Sequence, residues 1–157
     1  MYHDCTAQVR AAGSRSPPFP TQVGVKQGCP SSPVLFSLFI DRVVEYLCDN
    51  APLHLRTSTP LLAGLATFVL LYADDLVLLA YGARQLQLLL DCLGTFCDEN
   101  GMKVSVGSKG KSEVLLAGTA KEADPPPVFC CQGTRLPLTD NYRYLGQDIR
   151  VAPDLLQ

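Results

Sequence analysis

The sequence has few of the patterns that mark disulfide-rich or zinc-binding proteins. It contains seven cysteines and two histidines, but no Cys-X-X-Cys pair. An odd number of cysteines without a secretory signal at the start argues against a disulfide framework, and the lack of paired spacings argues against structural zinc. We therefore expect reduced thiols in an intracellular protein; the sequence does not distinguish nucleus from cytoplasm.

Excess positive charge is also lacking. The 157-residue chain has a formal net charge of −2, so its composition as a whole does not carry the basic footprint of most nucleic-acid-binding domains. Any such function must rest on local charge and on motifs. Apolar residues make up 47% of the chain, which is ordinary for a globular domain and excludes wholesale disorder.

An uninterrupted apolar run of membrane-spanning length is absent too. Residues 61–81 have the length of a span, but Asp74 and Asp75 stand inside this stretch. Each would cost roughly 2.5–3.5 kcal/mol in hydrocarbon. The part without charge, 61–73, is too short to span a bilayer alone. We expect no membrane contact, and a buried strand instead.

The N-terminal part is predicted to be irregular up to a sharp change at Ser32-Pro33. The segment SRSPPFPTQ is rich in proline, which lacks the N–H that helix interiors need. Ser32 is suited to cap a helix that has Pro33 in its first turn. Apolar residues then recur every three or four positions as far as Leu47, which predicts one helix ending near Asp49.

Hairpin and helix patterns follow. Apolar runs at about 66–72 and 76–81, with Ala-Asp-Asp between them, predict two paired strands. A helical period returns over 84–100, and Gly101 is suited to close this helix in a left-handed cap. Short strands are then expected at 102–106, 113–117 and 142–149. This order fits an α+β fold in which helices cover one face of an antiparallel sheet.

Asp74 and Asp75 are adjacent carboxylates between two apolar runs. A solvated turn explains them without any chemistry, because aspartate bonds nearby backbone N–H groups in turns. The flanking runs are fully apolar rather than alternating, however, which predicts a hairpin covered on both faces. Two carboxylates at the end of such a platform can hold hard cations such as Mg²⁺, which support phosphoryl transfer. Both interpretations stay open on these residues alone.

Four segments, in order, resemble motifs of the reverse transcriptase family, most closely its non-LTR retrotransposon type. YADDLVLLA is similar to the Tyr-X-Asp-Asp box, and GVKQGCPSSPVLFSLFID to the Gly-X-X-Gln-Gly-Cys-Pro-X-Ser-Pro-X-X-Phe motif. ENGMKVSVGSKGKSEVLLAG resembles the Gly-hydrophobic-Lys segment with its following Lys-Ser/Thr, and YRYLG resembles the primer grip. The resemblance implies a partial polymerase palm at 24–121. An irregular segment at 1–23 precedes it, and a connector with a primer-grip-like hairpin and a tail, 122–157, follows.

The resemblance also implies template-directed DNA synthesis and roles for single residues. Asp74 and Asp75 match the metal-binding pair for Mg²⁺ or Mn²⁺, with Asp74 the more direct ligand. Lys111 matches the lysine associated with the triphosphate, although its charged stretch is also typical of a solvated surface. The residues implied beside the RNA template, the DNA primer or the incoming nucleotide are Gln27, Gly28, Tyr72, Tyr144, Leu145 and Gly146.

One element that the resemblance implies has no match in the sequence. The family's metal site takes a further aspartate from a strand upstream of the Gln-Gly motif, and only Asp4 precedes that motif here. Its surroundings do not resemble that strand. We therefore expect the isolated chain to be inactive, with an upstream polypeptide needed to supply the carboxylate. The alternative is a non-catalytic remnant that binds nucleic acid or protein weakly at most.

Overall fold

Three helices and fourteen short strands make up the described part of the chain. The structure is a computed structural model that describes residues 5–21, 24–26, 28–52, 60–62, 65–107, 111–118 and 124–150. It divides into two units, residues 1–40 and 41–157, which are treated separately below.

The first unit holds one helix and four strands of two residues each. They are β1 (Thr6–Ala7), β2 (Arg10–Ala11), β3 (Ser14–Arg15), β4 (Phe19–Pro20) and α1 (Ser32–Ile40).

The second unit holds the remaining elements. They are α2 (Arg42–Asn50), β5 (Leu61–Leu62), β6 (Leu65–Ala66), β7 (Val69–Tyr72), β8 (Asp75–Leu78), α3 (Ala83–Glu99), β9 (Val114–Leu115), β10 (Phe129–Cys131), β11 (Thr134–Leu136), β12 (Leu138–Thr139), β13 (Asn141–Tyr144) and β14 (Gln147–Arg150).

Residues 5–21 form a two-stranded ribbon, whereas the sequence predicted an irregular segment. β1 pairs with β4 and β2 pairs with β3, both antiparallel. The Ser16 N–H donates to the Val9 carbonyl at 2.9 Å and extends the inner pair. Pro17 and Pro18 fall between the two pairs, and the ladder is interrupted there because proline has no N–H to donate.

The single helix predicted from Ser32 onward is divided at Asp41. Its φ of −58° and ψ of −29° are still helical, but the Val44 N–H donates to the Asp41 carbonyl, three residues back, at 3.0 Å. A bond of this kind tightens the turn and restarts the four-residue ladder. The apolar spacing continues across this point, so the pattern alone does not reveal the division.

The helix predicted at 84–100 is present as α3, and Gly101 ends it as expected. Gly101 has a φ of +65°. Its N–H donates to the Asp98 carbonyl at 3.3 Å, and the Met102 N–H donates to the Cys97 carbonyl at 2.8 Å. These are the two hydrogen bonds of a Schellman C-cap, so the predicted left-handed cap is confirmed.

The core of the second unit is built on α3. On one stripe of this helix, Leu93 and Phe96 pack with Val43 and Leu47 of α2. The rings of Phe96 and Tyr46 meet edge to face, with centroids 5.3 Å apart. Burying side chains of this size contributes roughly 1.5–3 kcal/mol each, which makes this helix pair the main support of the unit.

Strand hairpins pack against α3 on two stripes. The β7–β8 hairpin contributes Val69, Leu76 and Leu78 to the cluster with α2. A neighbouring stripe of α3, centred on Leu90, packs against four buried residues of the strands β9, β10 and β11. Those residues are Val114, Phe129, Cys131 and Leu136. Leu78 contacts both groups, so the inner end of β8 joins the two parts of the core.

Side-chain amides dock the β10–β11 hairpin on α3. Gln87 Nε2 donates to the Cys130 carbonyl at 2.8 Å, and the Cys130 N–H donates to Gln87 Oε1 at 3.0 Å. Gln87 thus makes the two bonds that a neighbouring strand would otherwise make. Gly94 faces the same hairpin, and a Cβ at that position would lie 3.4 Å from the backbone nitrogen of Gln132.

Gln132, at the turn of the same hairpin, explains why the strand expected at 102–106 does not form. Its Oε1 accepts from the Val104 N–H at 2.8 Å, and its Nε2 donates to the Met102 carbonyl at 3.0 Å. The same nitrogen donates to an Asp98 carboxylate oxygen at 2.7 Å. A side chain therefore takes the backbone partners that a strand needs.

Seven separate strand pairs form in the described residues, in place of the single antiparallel sheet expected. Six pairs are antiparallel, and β9 with β12 is parallel. The strands are two to four residues long. Side-chain amides such as that of Gln87 hydrogen-bond to strand backbone groups that no further strand pairs with. The mixed α and β class is as predicted, but helices covering one face of a continuous sheet are not found in the part described.

Two further expectations concern thiols and membranes. All seven cysteines lie in described positions, and none of them forms a disulfide. None of the helices in the described ranges is long and apolar enough to cross a membrane.

Cys131 is the most perturbed of these thiols. It is 2% exposed, and its Sγ donates to the Leu90 carbonyl at 3.6 Å. The pKa of Cys131 is raised to about 11, first by burial and then by the nearby charges of Cys97, Asp91 and Asp98, against a lowering hydrogen bond from the backbone of Gln132. The thiol is therefore held in its neutral form.

Gln132→Ala tests the amide clamp. We expect it to lower the free energy of unfolding by about 1–3 kcal/mol, because the half-buried Val104 N–H and Met102 carbonyl lose their partner. Urea unfolding followed by circular dichroism measures this. Gln147→Ala, at an exposed position of β14, is the matched control, and an equal loss in both variants would contradict the clamp.

The Cys131 thiol predicts a pH dependence of stability. In the unfolded chain it ionises near the ordinary value of 9.0, but in the fold its pKa is about 11. The folded state binds this proton more tightly, so the free energy of unfolding should fall as the pH rises from 9 to 11. Cys131→Ala should show a smaller fall over that window in unfolding titrations. Parallel pH profiles for the two proteins would refute the assignment.

Candidate functional site

The two aspartates lie at the tip of the β7–β8 hairpin. The strands are antiparallel and Tyr72 is opposite Asp75 at the end of the ladder, so Ala73 and Asp74 form a two-residue loop. Directly opposite residues share one face and have Cβ atoms about 5 Å apart. The Tyr72 ring and the Asp75 carboxylate are therefore neighbours on that face.

Exposure changes sharply along this hairpin. Tyr72 is 62% exposed and both aspartates are exposed, whereas the other strand residues are half-buried. The inner part packs against the helices, and the tip meets water. The carboxylates thus need no buried counter-charge, because they are not removed from solvent.

The loop holds a strained residue next to the carboxylates. Ala73 has a φ of +52°, a left-handed conformation that costs a residue with a Cβ about 1–2 kcal/mol. The packed inner strands hold it there. Strain of this kind persists where the surrounding structure determines the conformation, and it occurs often at functional sites.

The β13–β14 hairpin lies within electrostatic reach of Asp75. Burial raises the pKa of Tyr142, and the negative charges of Asp75 and Glu113 raise it further, with a smaller effect of Tyr144. A charge acts on a pKa in this way only from nearby. The segment that resembles the primer grip is thus close to the aspartate hairpin in the fold, although the two are far apart in sequence.

Leu145 and Gly146 form the tip of that second hairpin. Tyr144 is opposite Gln147, and the two loop residues have φ values of +48° and +82°. Positive φ at both loop positions is the signature of a type I′ turn, which matches the twist of paired strands. The Leu145 side chain is 50% exposed, so this tip presents an apolar surface to solvent.

Lys111 is not joined to the aspartates by any described contact. Its Nζ lies 3.5 Å from Ser105 Oγ, to which it donates, and the Ser112 N–H donates to the Ser105 carbonyl at 2.9 Å. These bonds join Ser105 to positions 111 and 112. Lys111 itself is exposed.

Gly28 belongs to the first unit, and Gln27 lies outside the described residues. Gly28 has a φ of +81°, and no described atom lies within 4 Å of where a Cβ would stand. Around it, the Cys29 N–H and the Ser32 hydroxyl donate to the Lys26 carbonyl, at 3.2 and 2.7 Å. The turn before α1 therefore uses the freedom of glycine.

The donor set at the hairpin tip suits a hard cation but is small. Asp74 and Asp75 offer exposed carboxylate oxygens, the ligands that Mg²⁺ prefers. In the part of the chain that the structure describes, no three His, Cys, Asp or Glu side chains come together as a metal site. The pair fits one side of a cation, whose remaining positions would be taken by water or by other oxygens.

Tyr142, near Asp75, and Glu113, near Tyr142, are residues that the sequence did not reveal. Tyr142 is two positions before Tyr144 in a strand that alternates exposed and half-buried residues, so the same-face spacing was a usable signal for it. Glu113 stands in a charged stretch without a pattern, and only the fold brings it close to Tyr142.

Comparison with known proteins gives a consistent family. The sequence profile described as reverse transcriptase (RNA-dependent DNA polymerase) matches residues 1–149. The retrovirus-related Pol polyprotein from type-2 retrotransposable element R2DM of Drosophila melanogaster is 34% identical over 129 residues, which are 78% of this chain and 11% of that protein.

Two further relatives are Pol polyproteins from the type-1 retrotransposable element R2. The Popillia japonica protein is 31% identical over 151 residues, 91% of this chain and 20% of that protein. The Nasonia vitripennis protein is 32% identical over 132 residues, 78% of this chain and 12% of that protein. The chain thus spans only about a tenth to a fifth of the length of these relatives. It belongs to the reverse transcriptase (RNA-dependent DNA polymerase) family, in its non-LTR retrotransposon type.

Proposed function

We propose that the β7–β8 hairpin is part of the catalytic site of a polymerase palm, which extends a DNA primer on an RNA template. The observation that carries this proposal is the exposed pair Asp74 and Asp75 at the end of a packed hairpin. A rigid platform with hydrated carboxylates suits nucleotidyl transfer, because that chemistry depends on positioned charge more than on a protein nucleophile.

In this proposal Asp74 and Asp75 hold Mg²⁺ or Mn²⁺. Divalent ions of this kind neutralise the charge that develops on phosphate oxygens during transfer. The two residues contribute differently, since Asp74 lies in the loop and Asp75 in the strand opposite Tyr72. Asp75 is the more rigidly held of the two, whereas Asp74 is freer to adjust to a ligand.

The contacts with nucleic acid and nucleotide are assigned to four surfaces. Tyr72, at 62% exposure, offers a ring for stacking near the primer end or the incoming nucleotide. The tip formed by Tyr144, Leu145 and Gly146 supports the primer end, and the influence of Asp75 on Tyr142 favours this reading. Lys111 balances triphosphate charge, and Gln27 with Gly28 lies along the template.

The alternative function is a non-catalytic module that binds nucleic acid or protein weakly. One observation favours it: in the described ranges the two aspartates have no third acidic, cysteine or histidine partner. A two-metal mechanism needs more carboxylate oxygens than this pair offers. The two experiments below separate metal binding from catalysis, so each function can be judged by itself.

Metal binding is tested with Mn²⁺ and NMR of the 157-residue chain. Paramagnetic Mn²⁺ should broaden the amide signals around Asp74 and Asp75 selectively, because hard cations bind carboxylate oxygens. Asp74→Asn with Asp75→Asn should abolish this broadening.

The matched control removes the same charge elsewhere. Glu45→Gln with Asp49→Asn changes two exposed acids of α2 and should leave the broadening at the hairpin intact. Equal broadening at both acidic pairs would overturn the proposed metal site.

Catalysis is tested by extension of a DNA primer on an RNA template with Mg²⁺ or Mn²⁺. We expect no extension by this chain alone, because the described residues bring only two carboxylates together at the hairpin. Extension that disappears in Asp74→Ala would contradict the expected inactivity and would favour the catalytic function over the binding module. Extension that persists in Asp74→Ala would argue against the hairpin as the site.

A further inference from the structure

Charge is divided unevenly between the two units. Residues 1–40 contain Arg10, Arg15 and Lys26 but only one acid, Asp4. Because the whole chain has a formal net charge of −2, the negative charge lies in residues 41–157. A difference of this kind between parts of a chain indicates a surface for a polyanion, which the overall charge conceals.

Two of these cations form a pair on the N-terminal ribbon. Arg10 of β2 is directly opposite Arg15 of β3, so both side chains start from the same face of the ribbon, with Cβ atoms about 5 Å apart. Both residues are exposed. Neither arginine forms an ion pair with another described residue.

The backbone on both sides of the pair is well defined. Below it, the Val9 N–H donates to Ser16 Oγ at 3.0 Å and the Ser16 N–H donates to the Val9 carbonyl at 2.9 Å. Above it, Ala12 and Gly13 have φ values of +46° and +80°, as in a type I′ turn. The backbone positions from which the two arginine side chains extend are therefore fixed.

Like charges directly opposite each other destabilise a strand pair. The arginine pair therefore does not stabilise the ribbon. A ligand with repeated negative charge complements its positive charge best. Guanidinium groups bind phosphate oxygens in a planar two-bond geometry, and phosphates recur at short, regular spacing along a nucleic acid.

We propose that Arg10 and Arg15 of the β2–β3 ribbon form a contact for the phosphate backbone of nucleic acid, separate from the aspartate hairpin. The inference rests on the proposed function for the class of its partner. Contacts to phosphate position a protein on nucleic acid without reading its sequence. The ribbon thus anchors the chain by charge, independently of any metal at Asp74 and Asp75.

The test measures binding of the full chain to a fluorescent RNA–DNA hybrid by anisotropy, in EDTA and over a range of salt concentrations. Arg10→Gln with Arg15→Gln should weaken binding about tenfold or more at low salt. It should also reduce the slope of log K against log salt by about 2, since each phosphate contact contributes about 0.9.

A matched control removes two positive charges from the acidic unit. Arg42→Gln with Arg84→Gln alters exposed residues in the first turns of α2 and α3, where cations oppose the helix dipole. This control should leave the salt slope unchanged. Arg10→Lys with Arg15→Lys should also retain the slope, because the charge is kept.

Several outcomes would overturn the proposal. They are equal effects of the ribbon and control variants, no binding of the unsubstituted chain at low salt, and binding of anionic lipid vesicles as tight as binding of the hybrid. Thermal unfolding checks that the variant with Arg10→Gln and Arg15→Gln is folded. Its unfolding midpoint should equal or exceed that of the unsubstituted chain, because a pair of like charges has been removed. Arg10→Gln with Arg15→Gln should leave the Mn²⁺ broadening at the β7–β8 hairpin intact, so failure of the ribbon and failure of the metal site remain distinguishable.

Discussion

The burial of α3 is the constraint on which the second unit depends. One stripe of this helix packs with α2 and the β7–β8 hairpin, and the next stripe packs with the β10–β11 hairpin and β9. Leu78 contacts all the buried clusters of the unit. Apolar contacts hold the Leu78 end of β8 in place, and this fixes the position of Asp75 at the other end of the strand. The exposed carboxylate is thus positioned accurately without the desolvation penalty that burial would impose.

Polar side chains complete what short strands leave unfinished. Gln87 hydrogen-bonds to both the N–H and the carbonyl of Cys130. In the segment after α3, Gln132 hydrogen-bonds to the Val104 N–H and the Met102 carbonyl. Buried or half-buried backbone groups require partners. Two amides thus replace the additional strands of a larger sheet. This explains how a unit made of two-stranded pairs retains a well-packed core.

The chemistry of the chain is divided between a negative tip and a positive ribbon. The exposed aspartates suit a hard cation, and Arg10 with Arg15 suits phosphate. Nucleic acid is the class of ligand that carries both a phosphate backbone and a reacting end, so the two features are compatible with one partner. The overall charge averages over them and conceals both.

The sequence by itself determined the features that short-range rules govern. The apolar period and Gly101 determined α3 and its Schellman cap, because both depend on residues within one or two helical turns. The motifs determined the family. The one-helix prediction across Asp41 was wrong, since the apolar spacing does not change where the ladder restarts. The prolines hid the ribbon at 5–21, because Pro17 and Pro18 lie between the two strand pairs and Pro20 lies inside β4.

Only the tertiary structure decided which distant groups meet. It brought Asp75 and Glu113 close to Tyr142, and it placed the Gln132 side chain, rather than a strand, as the hydrogen-bond partner of Val104. These contacts join residues about thirty or more positions apart, and no local period or turn signal encodes them. They follow from the packing of hairpins on α3, which selects partners by shape and by the need to satisfy backbone hydrogen bonds.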